Sequence, residues 1–87
     1  MPNTVFLSRR AEKFLAQLGD AALYGRLRRA IETLRLEARP PGSVKLAGAP
    51  DLYRLRVGDY RIVYQVRDFE LIVLVLSVGH RREIYRG

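Results

Sequence analysis

Arginine falls on alternate residues in Leu52-Tyr53-Arg54-Leu55-Arg56-Val57 and returns in Tyr60-Arg61-Ile62-Val63-Tyr64. The chain then carries His80-Arg81-Arg82-Glu83-Ile84-Tyr85. A guanidinium presents a planar fork of donors that fits phosphate oxygens two at a time, and it stays charged when partly buried. Gathered on one surface, such groups would hold a polyanion. Histidine changes charge near neutral pH, so His80 is a candidate general acid or base, a phosphate ligand when protonated, or a structural strand-end residue. Tyr85 could stack on a base, orient a hydroxyl or close a sheet edge. Glu83 reads as an ion-pair partner of Arg81 or Arg82 in preference to a base. One histidine, with neither cysteine nor a carboxylate triad, points to no metal and no cofactor.

Strand pairing is what would gather these residues. Gly58-Asp59 separates two strand-like runs, and a two-residue loop with glycine first suits a type II′ hairpin. That loop sets Val57 opposite Tyr60, Leu55 opposite Ile62 and Tyr53 opposite Tyr64 on one face. Arg56 then faces Arg61 on the other, with Arg54 beside Val63. Like charges directly opposed destabilise a sheet. An anion lying between them would relieve this; the alternative is a set of solvated arginines whose stems cover apolar surface. Extending the scheme, Val66 opposite Leu71 puts Val73 and Val75 on the aromatic-aliphatic face and Ile72, Leu74 and Leu76 behind the arginines. The end of that strand then delivers the His80 cluster near the arginine face.

The remaining elements supply a platform. Val5-Phe6-Leu7 reads as a strand, and Ser8 is positioned to cap a helix with apolar Ala11, Phe14, Leu15 and Leu18, stopped at Gly19-Asp20. Asp20 caps a second helix with the stripe Leu23, Leu27, Ala30, Ile31 and Leu34, ended by Pro40-Pro41-Gly42. Gly25 should weaken that helix by about 1 kcal/mol relative to alanine. Val44-Lys45-Leu46 is a short strand and Gly48-Ala49-Pro50-Asp51 a turn. The expected fold is therefore α+β: an N-terminal strand and an antiparallel helix pair packed on a small, mainly antiparallel twisted sheet, with residues 1–87 as one domain.

Composition agrees. The 87 residues are 48% hydrophobic, enough for a small core, and lack cysteine, so no disulfide framework exists. The net charge is +7, and all 16 basic residues except Lys13 and Lys45 are arginine, which points to an acidic partner or to codon bias in a GC-rich genome. The longest apolar run, Leu71 to Leu76, is far short of the roughly 20 residues of a membrane span. Met1-Pro2-Asn3-Thr4 opens without a charged leader. The expectation is a soluble, cytoplasmic protein that does not engage membranes.

Lys45-Leu46-Ala47-Gly48-Ala49-Pro50-Asp51-Leu52-Tyr53-Arg54-Leu55-Arg56, Gly58-Asp59-Tyr60-Arg61-Ile62-Val63-Tyr64 and Ser77-Val78-Gly79-His80-Arg81-Arg82-Glu83-Ile84-Tyr85 resemble the RelE branch of the RelE/ParE toxins, over essentially the whole chain. The resemblance implies a RelE-like, microbial-RNase-like fold and the toxin of a type II toxin-antitoxin system. It implies a RelB-like antitoxin partner, with operator DNA reached only through that antitoxin, and contacts with mRNA and 16S rRNA on the ribosome. The implied activity is cleavage of mRNA in the ribosomal A site, by attack of a ribose 2′-hydroxyl on the adjacent phosphate. By the same resemblance Arg61 and Arg81 match phosphate-contacting arginines and Tyr85 an active-site tyrosine. Arg54 and Arg56 stand where the family pattern has lysines, one of them implicated as general base. Arginine is a poor base, so His80, Tyr85, Glu83 or the ribosome is left to move the proton. Lys45, Arg54, Arg56, Arg61, Arg81 and Arg82 form the expected nucleic-acid surface. The chain stops at Gly87, without the terminal helix of some members, and the antitoxin is expected to cover this surface directly. Two alternatives share the fold: a ParE-like inhibitor of DNA gyrase, and a non-catalytic antitoxin-binding relative.

Overall fold

Two short side chains start the helices. Ser8 Oγ accepts from the Ala11 amide at 3.1 Å and opens α1 (Arg9–Ala16). Asp20 Oδ1 accepts from the Leu23 amide at 3.0 Å and opens α2 (Ala21–Leu36). Each satisfies an amide that the helix itself leaves without a partner. Helix α1 ends at Ala16, so Leu18, expected to be its last apolar position, packs against the core from the connection that follows. Helix α2 ends at Leu36, well before Pro40. Its Leu27, Ile31 and Leu34 are buried, each worth roughly 1.5–3 kcal/mol.

The computed structural model describes residues 2–80 and 82. The strands are β1 (Thr4–Leu7), β2 (Ser43–Lys45), β3 (Leu52–Val57), β4 (Tyr60–Arg67) and β5 (Ile72–His80). They form one mixed sheet in the order β1-β5-β4-β3-β2, with β1 parallel to β5 and the other neighbours antiparallel. Both helices pack on one face, over Leu55, Ile62, Tyr64, Val66, Val73, Val75 and Val78. Among the described residues no helix is long and apolar enough to cross a membrane.

The β3–β4 hairpin has the register its turn predicts: Val57 pairs with Tyr60, Leu55 with Ile62, Tyr53 with Tyr64, and Arg56 with Arg61. Gly58 has φ +60°, as the first central residue of a type II′ turn requires, whereas Asp59 keeps negative φ. The β4–β5 register differs from expectation. Val66 faces Val73, not Leu71, because the connecting turn takes Asp68 to Leu71. The Leu71 amide closes that turn on the Asp68 carbonyl at 3.2 Å, and Leu71 itself adopts φ +55°. The offset is two residues, so Val73 and Val75 keep the face expected of them.

A β-bulge then changes the alternation. Val63 pairs with Ser77 while Tyr64 pairs with Val75, which leaves Leu76 as the extra residue of β5. Beyond it, Val78 pairs with Ile62 on the helix face, Gly79 with Arg61, and His80 with Tyr60.

Candidate nucleic-acid interface

The open face of the sheet carries the arginines. Arg54 lies between Val44 on β2 and Val63 on β4, and Arg56 lies opposite Arg61. Phe6 pairs with Leu74 and is 51% exposed, so the apolar floor of this face reaches the β1 edge. The opposed arginines do not splay apart. Arg56 donates from Nε to the Gly58 carbonyl at 3.2 Å, and Arg61 donates from Nη1 to the same oxygen at 3.5 Å and to the Tyr60 carbonyl at 3.3 Å. One turn carbonyl draws two cationic heads to the end of the sheet. Among the described residues Arg56 spends only Nε there, which leaves its terminal nitrogens for a phosphate fork. Arg61 faces Gly79, whose lack of a side chain keeps the sheet surface beside it low.

His80 stands elsewhere. Without the bulge, strict alternation would set it on the arginine face. The bulge turns it to the helix face, where its ring meets Tyr60 edge-on at 5.4 Å between centroids. Tyr60 in turn packs on Phe14 of α1 at 6.2 Å. His80 Nδ1 accepts from the Arg82 amide at 3.2 Å. That bond commits one ring nitrogen to holding the Arg82 amide. Its geometry is that of a capping side chain and not of a base aimed at the arginine face.

Lys45 is exposed on edge strand β2 and pairs with Tyr53, so the register sets it on the helix side, away from Arg54, Arg56 and Arg61. Arg82 is exposed. Arg81, Glu83 and Tyr85 lie outside the described residues.

A polar group that sequence reading missed braces the opposite end of the hairpin. Arg39 donates to both Asp68 oxygens, at 3.1 and 2.8 Å, and from Nε to the Tyr53 hydroxyl at 3.0 Å. Tyr53 stacks on Tyr64, whose hydroxyl donates to the Ala38 carbonyl at 2.8 Å. Hydrogen bonds from Arg39 hold the Asp68 carboxyl below its ordinary range, and burial pushes the Tyr64 phenol up. These contacts tie the segment after α2 to β3 and β4. Arg39 and Asp68 are 29 residues apart, and neither lies in a periodic pattern that would announce the pair.

Comparison with known proteins agrees with this architecture. Residues 5–85 match the family described as the ParE toxin of the type II toxin-antitoxin system parDE. The chain is 41% identical over 83 residues to the mRNA interferase toxin RelE of Escherichia coli K12, covering 87% of this chain and 82% of that protein. Among solved structures, it superposes on the archaeal RelE–RelB complex from Pyrococcus horikoshii with a TM-score of 0.82 at 30% identity, over all of both chains. With the isolated E. coli RelE toxin the TM-score is 0.77 at 32% identity, over 95% of this chain and 90% of that one.

Proposed function

The chain belongs to the RelE/ParE family of type II toxins, and from that membership we propose that it is a ribosome-dependent endoribonuclease that cuts mRNA in the A site. The observation that carries this reading is the convergence of Arg56 and Arg61 on the Gly58 carbonyl, with Arg54 on the same open face. Two opposed cations held close together bind a phosphate well and stabilise the extra negative charge of a pentacoordinate phosphorane better still.

The reaction is attack of a ribose 2′-hydroxyl on the adjacent phosphate, leaving a 2′,3′-cyclic phosphate and a 5′-hydroxyl. Arg54, Arg56, Arg61 and Arg81 form the clamp, and Tyr85 aligns the nucleotide. Arginine stays protonated, so the clamp supplies charge and not proton abstraction. The proton transfers fall to Tyr85, Glu83 or the ribosome, since His80 is turned to the other face. In the cytoplasm the toxin is held inactive by a RelB-like antitoxin that covers the basic face, and it reaches operator DNA only through that protein.

Primer extension on a reporter mRNA in a translation extract tests this directly. Codon-phased cuts are expected with the wild-type protein and none with Arg61→Ala or Arg81→Ala, both of which should still fold and bind antitoxin. Full cleavage by both variants would remove the clamp assignment. The ParE description of the matched family supports a second reading, inhibition of DNA gyrase. A DNA-damage response with intact mRNA ends would establish that one instead.

A further inference from the structure

Two glycines in this fold have an arginine laid against them. A Cβ added to Gly58 would come 2.8 Å from Nη2 of Arg26, and one added to Gly25 would come 3.4 Å from Nη1 of Arg29. Arg26 and Arg29 are three residues apart on α2 and therefore neighbours on its surface. Gly25 weakens the helix relative to alanine, and the Arg29 guanidinium lies at contact distance from where its Cβ would be. Gly58 is also the residue whose carbonyl accepts from Arg56 and Arg61. Covalent geometry sets a Cβ about 3 Å from its own carbonyl oxygen, so the head of Arg26 stands within roughly 9 Å of that of Arg56.

Like charges at that spacing, close to the screening length of about 8 Å at physiological salt, still repel one another. Among the described residues the ion pairs are Glu32–Arg35, Arg39–Asp68 and Arg67–Glu70, so Arg26 and Arg29 take part in none of them. A helix and both strands of a hairpin thus deliver cationic heads to a single turn. A nucleotide strand carries charges at regular short steps and suits such a series of forks better than the irregular carboxylates of an acidic peptide.

We propose that the RNA track continues round the β3–β4 turn onto α2, with Arg26 holding the mRNA phosphate next to the one clamped by Arg56 and Arg61 and Arg29 standing behind it, a placement that rests on the phosphate-clamp reading above. Arg26 is a binding residue for the flanking strand, distinct from the charge stabilisation at the scissile phosphate.

The test is single-turnover mRNA cleavage on programmed ribosomes, measured against toxin and salt concentration. Arg26→Gln keeps an amide-tipped stem against Gly58 and removes the charge. It should raise the half-saturating toxin concentration about fivefold, leave the maximal rate within about twofold, and make the salt dependence shallower by about 0.7 in log–log slope. Arg26→Lys should restore most of the affinity. An mRNA with one neutral methylphosphonate beside the cleavage site should reproduce the defect, and at that position the two changes should not add. Unchanged half-saturation in Arg26→Gln overturns the proposal. Additive effects at every methylphosphonate position also overturn it and move the contact to ribosomal RNA. Normal cleavage with weakened antitoxin binding overturns it in favour of a protein-binding face. Arg61→Ala, run in parallel, separates the two levels: if it cleaves like wild type, the clamp reading has failed and takes this placement with it.

Discussion

Ser8 and Leu76 are joined by a hydrogen bond that links the start of α1 to the irregular point of β5. The Ser8 hydroxyl donates to the Leu76 carbonyl at 2.6 Å while its oxygen accepts from the Ala11 amide at 3.1 Å. Leu76 is the residue the bulge leaves without a partner on β4. The helix cap therefore supports the bulge, and the bulge decides that Gly79 lies beside Arg61 and that His80 faces Tyr60.

Replacing Ser8 removes both bonds. Ser8→Ala should lower stability by about 2 kcal/mol, combining a lost cap with a part-buried carbonyl left unsatisfied. Ser8→Thr, which retains the hydroxyl, should stay within about 0.5 kcal/mol of wild type. Urea unfolding midpoints measure both, and an alanine variant as stable as the threonine variant would contradict the double role.

His80 serves as an acceptor for the Arg82 amide, which separates it from a catalytic base by substitution. Asparagine offers an acceptor at similar reach but cannot move a proton near neutral pH. His80→Asn should keep cleavage within about threefold of wild type, a difference below 1 kcal/mol. His80→Phe keeps a ring against Tyr60 without the acceptor and should lose considerably more. Equal inactivity of the two variants in the single-turnover assay would restore histidine as the base.

Gly58 combines positive φ with close approach by Arg26. Gly58→Ala should cost about 1–2 kcal/mol, since an L side chain is disfavoured at such φ. It should also push Arg26 aside, so cleavage at subsaturating toxin should fall further than the stability loss alone explains. Thermal melts together with cleavage at a temperature where both proteins are fully folded separate the two effects.

Most of the fold is legible along the chain because it is set by local rules. Ser8 and Asp20 announce their helices, Gly58-Asp59 fixes its hairpin register, and Leu27, Ile31 and Leu34 fall at helical spacing. The face-to-face pair Arg56 and Arg61 follows from that register alone. The site is less legible, because one extra residue in β5 reverses the facing of Val78, Gly79 and His80. Leu76 sits in a continuous apolar run where alternation gives no sign of a bulge, and the Ser8 bond that satisfies its carbonyl comes from 68 residues away. The facing of Lys45 is hard to read for a similar reason: its strand is only three residues long, and its side depends on which residue pairs with Tyr53.

Tyr64 is fully buried and donates its hydroxyl to the Ala38 carbonyl. Tyr64→Phe keeps the ring but leaves that carbonyl without its partner, so it should cost about 1–2 kcal/mol in urea unfolding. Burial raises the phenol's pKa in the folded state. A raised folded value means that stability is fully present below the free tyrosine value, near 10, and declines as pH rises beyond it. The phenylalanine variant should therefore lose less stability than wild type between neutral and strongly alkaline pH, and a parallel decline in the two proteins would exclude Tyr64 as a source of it.

Asp68 gives the opposite dependence. Its carboxylate is held below the ordinary range chiefly by hydrogen bonds from Arg39, which it engages through both oxygens. A depressed folded value means that its contribution is present above the free aspartate value, near 4, and disappears as pH falls through the folded value. Asp68→Asn should therefore be less stable than wild type at neutral pH, with the gap closing as the solution is acidified into the range where the wild-type carboxyl protonates. The pair is exposed, so the neutral-pH gap should be small and should shrink with added salt. Urea midpoints for both proteins across the acid range provide the measurement. A gap that persists undiminished at the acid end would show that Asp68 acts through shape and neutral hydrogen bonding, and that its charge does not brace Arg39 against the Tyr53–Tyr64 stack.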